Sequence, residues 1–384
     1  MKFGMGGTKG FAQILGVAAA AVLLAACGGS SMMTPSMPAP MIQNPDFAFV
    51  TNIKSNTVAE FEVDSTSGMI FSLGSVVAGA APEFVAADSA GHFLFVGNTA
   101  SSNVSVFQID SSMGTLTAVA GSPFATGAQP EGLAVVSSEN LLFVANNAGN
   151  SISAFKFDST TGVLTPVTGS PFTGVTAPFG AATDALGKFL YVTNINSNTV
   201  SAFAIDGATG ALSAVQGSPF ATGGTPIGLT TDPNGSFVYV ADHMSDAVSP
   251  FSMDPIRGSL SPVTPLPAVN ANCSSTCHTN PLRVAIHPTA RLAFVADVGA
   301  NSLASFAISN GVLTQASPPV ATGQHPFGVA LDPSGNFVYV ADKLDNDIAA
   351  FSVNTMTGAL TPLANSPFPS GGSEPVGIVV VRPQ

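Results

Sequence analysis

Charged side chains make up only 8% of this 384-residue chain, and four of them, with one histidine, recur at one kind of place. Glu83, Glu131, Arg283, His325 and Glu374 each stand where a short apolar run begins, in positions that other copies of the run give to Phe179, Ile227 or Leu282. Brought to one axis, they would form an acid/base and anion-orienting set. His325 or one of the carboxylates, Glu131 or Glu83, would activate water. Arg283 would hold a carboxylate, a phosphate or a developing oxyanion, with Glu374 and His243 as further substrate contacts. The same residues also fit solvated loops around a water-filled channel. His92 falls in a surface turn, and His287-Pro288 replaces the Asp232-Pro233 and Asp332-Pro333 turns.

Cysteine chemistry is confined to two places. Cys273 and Cys277 lie close together in a single insertion, and in an exported protein such a pair forms a disulfide. The spacing Cys-x-x-x-Cys-His is one residue longer than a haem attachment, and a metal site on Cys273, Cys277 and His278 lacks an evident fourth ligand. Cys27 follows Leu24-Ala25-Ala26 at the end of an apolar run from Phe11 to Ala26, with Lys2 and Lys9 ahead of it. That order of charge, apolar run and cysteine is similar to a bacterial lipobox. It implies a signal peptide over residues 1–26, lipid on Cys27, and a Ser-, Met- and Pro-rich tether over residues 27–46. The chain is then expected to be exported and anchored to the cell envelope, on an outer-membrane or surface site. No Gly-rich phosphate loop and no Gly-x-Ser-x-Gly elbow occurs, so the sequence calls for no cofactor and no metal. A net charge of -12 argues against nucleic acid as a partner. The expected partner is a small-molecule or cell-envelope ligand, bound by a monomer.

The elements that must position these residues are written seven times. Apolar runs ending in Asn or Asp occupy residues 47–52, 93–98, 141–146, 189–194, 237–242, 292–297 and 337–342, with successive ends 46, 48, 48, 48, 55 and 45 residues apart. Each unit carries four strand signals, and a Gly recurs between the third and fourth at 68, 114, 162, 210, 258, 311 and 358. Gly-Ser-Pro-Phe at Gly121, Gly169 and Gly217 closes fourth strands and reads as structural. Nothing beyond the signal peptide reads as a helix. The first copy lacks a first strand, and the C-terminal run Pro375-Val376-Gly377-Ile378 has the pattern of one. The chain is therefore all-β: a seven-bladed β-propeller over residues 47–384, its ring closed by the C-terminal strand joining the N-terminal blade.

With Tyr191-Val192-Thr193-Asn194 in view, the repeat resembles the YVTN-type propellers of microbial surface proteins. It also resembles the seven-bladed lactonase family that includes 6-phosphogluconolactonase. The resemblance implies either hydrolysis of a small lactone or a non-catalytic binding or scaffold role. His-Pro-His patterns of the lactonases are reduced to His325-Pro326 followed by Phe327. Their Asp after the second strand is Asn56, Asn103, Asn150, Asn198, Asn301 and Asn346 here, with Asp246 the exception. The absence of Trp sets the chain apart from WD-type propellers.

Overall fold

The computed structural model of the chain describes residues 45–264 and 279–384. The signal segment, Cys27, nearly all of the tether, and the pair Cys273 and Cys277 with His278 lie outside the described residues. The described chain forms seven antiparallel sheets. Asp46, assigned above to the tether, already belongs to the strand Asp46–Asn52. In the first blade the order is Ile70–Val77, Thr57–Val63, Asp46–Asn52 and then Pro375–Val381 from the far end of the chain. Phe47 pairs with Val381, Val50 with Ile378 and Asn52 with Pro375, so the ring closes as expected. The other inner strands are Pro82–Ala87, Pro130–Val136, Pro178–Thr183, Pro226–Thr231, Pro281–Ile286 and Pro326–Leu331, in blades two to seven.

Second strands are buried on both faces because each blade stacks on the next. Phe93 and Phe95 of the second blade pack with Leu142, Val144, Phe155 and Phe157 of the third. The Tyr of the repeat adds a bond across that seam. Tyr191 donates to the Gly258 carbonyl at 3.0 Å and Tyr339 to the Gly68 carbonyl at 2.7 Å, each in the following blade. The recurring turn Gly residues all have positive φ, from 67° at Gly114 to 81° at Gly311. An Asp or Asn four residues earlier caps most of these turns, as Asp158 does by accepting from the Thr160 and Thr161 amides.

Two details depart from the four-strand reading. The Gly-Ser-Pro-Phe segments turn back, and Phe124–Ala125 and Phe220–Ala221 pair with third strands as a fifth strand; Phe368–Pro369 does the same in the seventh blade. Ser122, Ser170, Ser218 and Ser366 each accept a third-strand amide at 2.9 Å, which holds the return in place. A single 3-10 turn, His243–Ser245, is the one helical element among the described residues.

The Asn series after the second strands is a set of latches. Asn56, Asn150, Asn198, Asp246, Asn301 and Asn346 have positive φ and accept the backbone N–H of Ala81, Ala177, Thr225, Asn280, His325 and Glu374, at 2.7–2.9 Å. Each latch ties one blade to the inner strand of the next. In the second blade the position belongs to Ser102 (φ 52°), not to Asn103, which opens the third strand instead. No such bond is made there.

The residue ending each second strand is also structural. Asn146 donates to Ser151 and Ser153, and Asn194 to Thr199 and Ser201, with neither side chain exposed beyond 2%. The last three blades place Asp242, Asp297 and Asp342 here, all fully buried. Burial pushes the Asp242 carboxyl up to about 6 and the Asp342 carboxyl up to about 7. The Thr322 hydroxyl and Gly323 amide lie close enough to oppose the shift in Asp342, but neither closes a hydrogen bond on it. A raised carboxyl favours the folded state while protonated, so stability falls as pH rises from the unfolded value of about 4 through about 7. Asp342→Asn, which copies the first four blades, should therefore raise the unfolding free energy at pH 8 by about 2–4 kcal/mol. Urea unfolding at pH 8 and pH 4 checks this, and the gain should vanish at pH 4.

Candidate functional site

Every inner strand starts with a Pro, and the Pro pairs with the last residue of the second strand, as Pro130 does with Asn146 and Pro326 with Asp342. The residue before it has positive φ in all seven blades: Ala81, Gln129, Ala177, Thr225, Asn280, His325 and Glu374. A register shift follows the Pro. The shift sorts the five expected residues into three levels. His325 and Glu374 precede the Pro, Glu83 and Glu131 follow it, and Arg283 stands two places after.

Arg283's level is otherwise a glycine level. Gly132, Gly180, Gly228, Gly328 and Gly377 stand there, and a Cβ on any of them would meet the next blade's carbonyl at 2.3–2.6 Å. Only Phe84 and Arg283 carry side chains at this level, and both reach the axis. The Arg283 guanidinium carbon lies 4.2 Å from the centre of the Phe84 ring and 5.8 Å from that of Phe327. Phe84 meets Phe179 edge-on at 5.3 Å. Together they form a crossbar. Beyond it the channel holds a cavity of about 180 Å³, lined by all seven inner strands and including Thr230 and Arg283.

Glu83 and Glu131 act on this cation through space. Burial raises the Glu83 carboxyl, and Arg283 and Lys343 pull it back. Glu131 is 7% exposed, and its buried Oε2 makes no hydrogen bond with protein. Burial and then the neighbouring Glu83 push Glu131 far above the usual carboxylate range, with Arg283 opposing. The pair thus has unequal members: Glu131 holds its proton at neutral pH, and Glu83 is the more readily ionised.

The histidines stand apart from the carboxylates. His325 stacks on Phe327 with ring centroids 6.4 Å apart, and its buried Nδ1 is unpartnered. Burial lowers its pKa, as do Lys343 and His243. No carboxylate acts on it, so the expected pairing of His325 with Glu131 or Glu83 is not formed. His243 sits on the 3-10 turn, where its carbonyl accepts from Asn280 Nδ2 at 3.0 Å. Glu374 bridges two lysines, with Lys54 Nζ at 3.6 Å and Lys343 Nζ at 3.9 Å.

Sequence reasoning missed Phe84, Lys54 and Lys343. Counting from each Pro would have found Phe84, because it breaks the glycine level as Arg283 does. Lys343 follows Asp342 as His243 follows Asp242, the same offset that singled out His243. The other histidine readings hold: His92 is exposed, and His287 Nδ1 accepts the Thr289 and Ala290 amides in the manner of the turn Asp it replaces.

The model of the family described as "Lactonase, 7-bladed beta-propeller" matches residues 41–125, 180–275 and 229–376. Among solved structures, a candidate 6-phosphogluconolactonase of Bacteroides uniformis is 20% identical, with a TM-score of 0.77, over 88% of this chain and 100% of that one. A second from Bacteroides fragilis is 22% identical, with a TM-score of 0.76, over 90% and 100%. A periplasmic gluconolactonase of Pseudomonas aeruginosa is 17% identical, with a TM-score of 0.75, over 88% and 99%. At these identities the likeness is one of fold. No relative is found among the curated proteins. Seven four-stranded repeats closed by a C-terminal strand, and a family match reaching from the first blade to the last, make the chain a member of the seven-bladed β-propeller lactonase family.

Proposed function

We propose that the chain hydrolyses a small lactone at the mouth of its channel. The observation that carries this reading is the unequal carboxylate pair, Glu83 and Glu131, around the axial Arg283. Neighbouring carboxyls whose surroundings push their affinities for the proton apart divide the acid and base roles. Glu83 takes a proton from water as its oxygen attacks the lactone carbonyl. Arg283 stabilises the oxyanion. Glu131 gives its proton to the ring oxygen as the acyl–oxygen bond breaks, leaving the hydroxy acid. A proton passing from Glu83 to Glu131 resets the pair. His325, Glu374 and His243 then border the substrate rather than act on the reacting atoms.

The test is a pH-stat screen of the purified protein against γ- and δ-lactones, beside Arg283→Met and Glu131→Gln. Acid release by wild type that both variants strongly reduce supports the reading; none from wild type, or equal rates in all three, overturns it. One observation favours a second reading, a non-catalytic binding propeller. The guanidinium lies against Phe84 and Phe327, which also suits a structural crossbar.

We also propose export with a lipid anchor on Cys27, supported by the residue order around the apolar run and compatible with the fold shared with a protein named as periplasmic. Cys27→Ser should move the protein from the membrane to the soluble fraction. Unchanged membrane association would count against the anchor.

A further inference from the structure

The charges at the mouth are already spoken for. Lys54 and Lys343 share the carboxylate of Glu374, and Glu83 offsets Arg283 through space. With Glu131 protonated, three cations face the two carboxylates Glu83 and Glu374, on a chain that is strongly acidic as a whole. A phosphate or carboxylate arriving here would find both lysines already shared by Glu374 and the carboxylate of Glu83 beside the reacting centre. Phosphate recognition depends on free Arg or Lys donors, and here Lys54 and Lys343 would first have to leave Glu374. The acidity of the molecule as a whole gives such an anion no long-range steering either.

An apolar cluster lies to one side of the mouth. Leu282, Phe327 and Val376 form a buried cluster, with Ile53, Ile227 and Val298 half-buried against it. These six come from the fifth, sixth, seventh and first blades. Glu83 and Glu131 come from the second and third. The carboxyl pair and the apolar cluster therefore lie on different arcs of the ring, with the Arg283 guanidinium between them.

We infer that the site takes uncharged lactones bearing an apolar substituent, and discriminates against phosphorylated or carboxylated sugar lactones. The inference rests on the lactone reading of the same site. The ring ester faces Glu83, Glu131 and Arg283, and the substituent lies on Ile53, Ile227 and Val298, where it removes apolar surface from water.

Binding, measured by calorimetry with compounds the protein cannot turn over, separates this from catalysis. The probes are a δ-lactam carrying a pentyl group, the unsubstituted δ-lactam, and 6-phosphogluconate. The pentyl lactam should bind about tenfold or more tighter than the bare ring, and 6-phosphogluconate should bind most weakly. Ile227→Ser, a change at a half-buried rim position, should remove most of the pentyl advantage while thermal unfolding stays cooperative. Glu374→Gln should free Lys54 and Lys343 and tighten 6-phosphogluconate about tenfold. If the pentyl group adds nothing, or 6-phosphogluconate binds wild type better than the pentyl lactam, the inference is wrong. Tight binding of the pentyl lactam with no lactone hydrolysed would leave it standing and remove the catalytic reading. Hydrolysis of lactones with no preference among the probes would do the reverse.

Discussion

A chain ending at Glu374 should lose cooperative unfolding, or melt more than about 15 °C below the full-length protein. The missing strand, Pro375–Val381, is the inner strand of the first blade. It buries Val376, Ile378, Val380 and Val381, each exposed by 9% or less. At about 1.5–3 kcal/mol per buried side chain the loss is roughly 6–12 kcal/mol, on the scale of the whole net stability of a folded domain. Ring closure goes with it, because Gly377 fits against the Glu83 carbonyl of the second blade and Val376 contributes the carbonyl that Gly328 of the seventh approaches. Past the strand, Arg382 holds the fully buried Asp46 with Nε–Oδ1 at 2.7 Å and Nη2–Oδ2 at 2.8 Å. Burial still raises the Asp46 carboxyl despite that pairing, so the ion pair fixes the register of the two ends more than it adds to stability. Differential scanning calorimetry of the truncated chain is the measurement. A melting curve like that of the full-length protein would mean that the ring does not depend on this strand.

At the mouth, Arg283→Met should lower kcat for lactone hydrolysis by about 10²–10³-fold, the usual cost of removing an oxyanion donor. The pH profile carries the sharper test. On the proposed mechanism the rate follows the species with Glu83 ionised and Glu131 protonated, which gives a bell with an acid limb from Glu83 and an alkaline limb from Glu131. Both limbs belong to the coupled pair and lie above the ordinary carboxylate range. Arg283 holds both carboxyls down, so removing it should move both limbs to higher pH. Glu131→Gln should abolish the alkaline limb. A purely structural role for either residue would lower activity without moving the limbs. Rates from pH 5 to pH 10 for the three proteins decide between the two.

The fold was legible in the sequence because the unit recurs seven times and its punctuation has a physical cause. A Gly at positive φ in each outer turn and an Asn or Asp ending each second strand leave few alternatives. The site was legible only in part. Composition flagged Glu83, Glu131 and Arg283 because charge is so scarce, and the fold brings these three together. It did not reveal that the strand shifts register just after each Pro. His325 and Glu374 stand only two steps along the chain from the level of the carboxylate pair, yet in quite different surroundings. The Asn series was read as a mark of kinship, since a latch between blades cannot be seen within one repeat. Asn103 was placed in it by adjacency, where the backbone gives the position to Ser102. Lys343 escaped because a lysine beside an aspartate looks like an ordinary solvated turn.

The closing strand also settles which way the molecule can be held. Asp46–Asn52 runs toward the mouth and Pro375–Val381 runs away from it, so Asp46 and Arg382 meet on the opposite face. Both ends of the ring are therefore handles on its back.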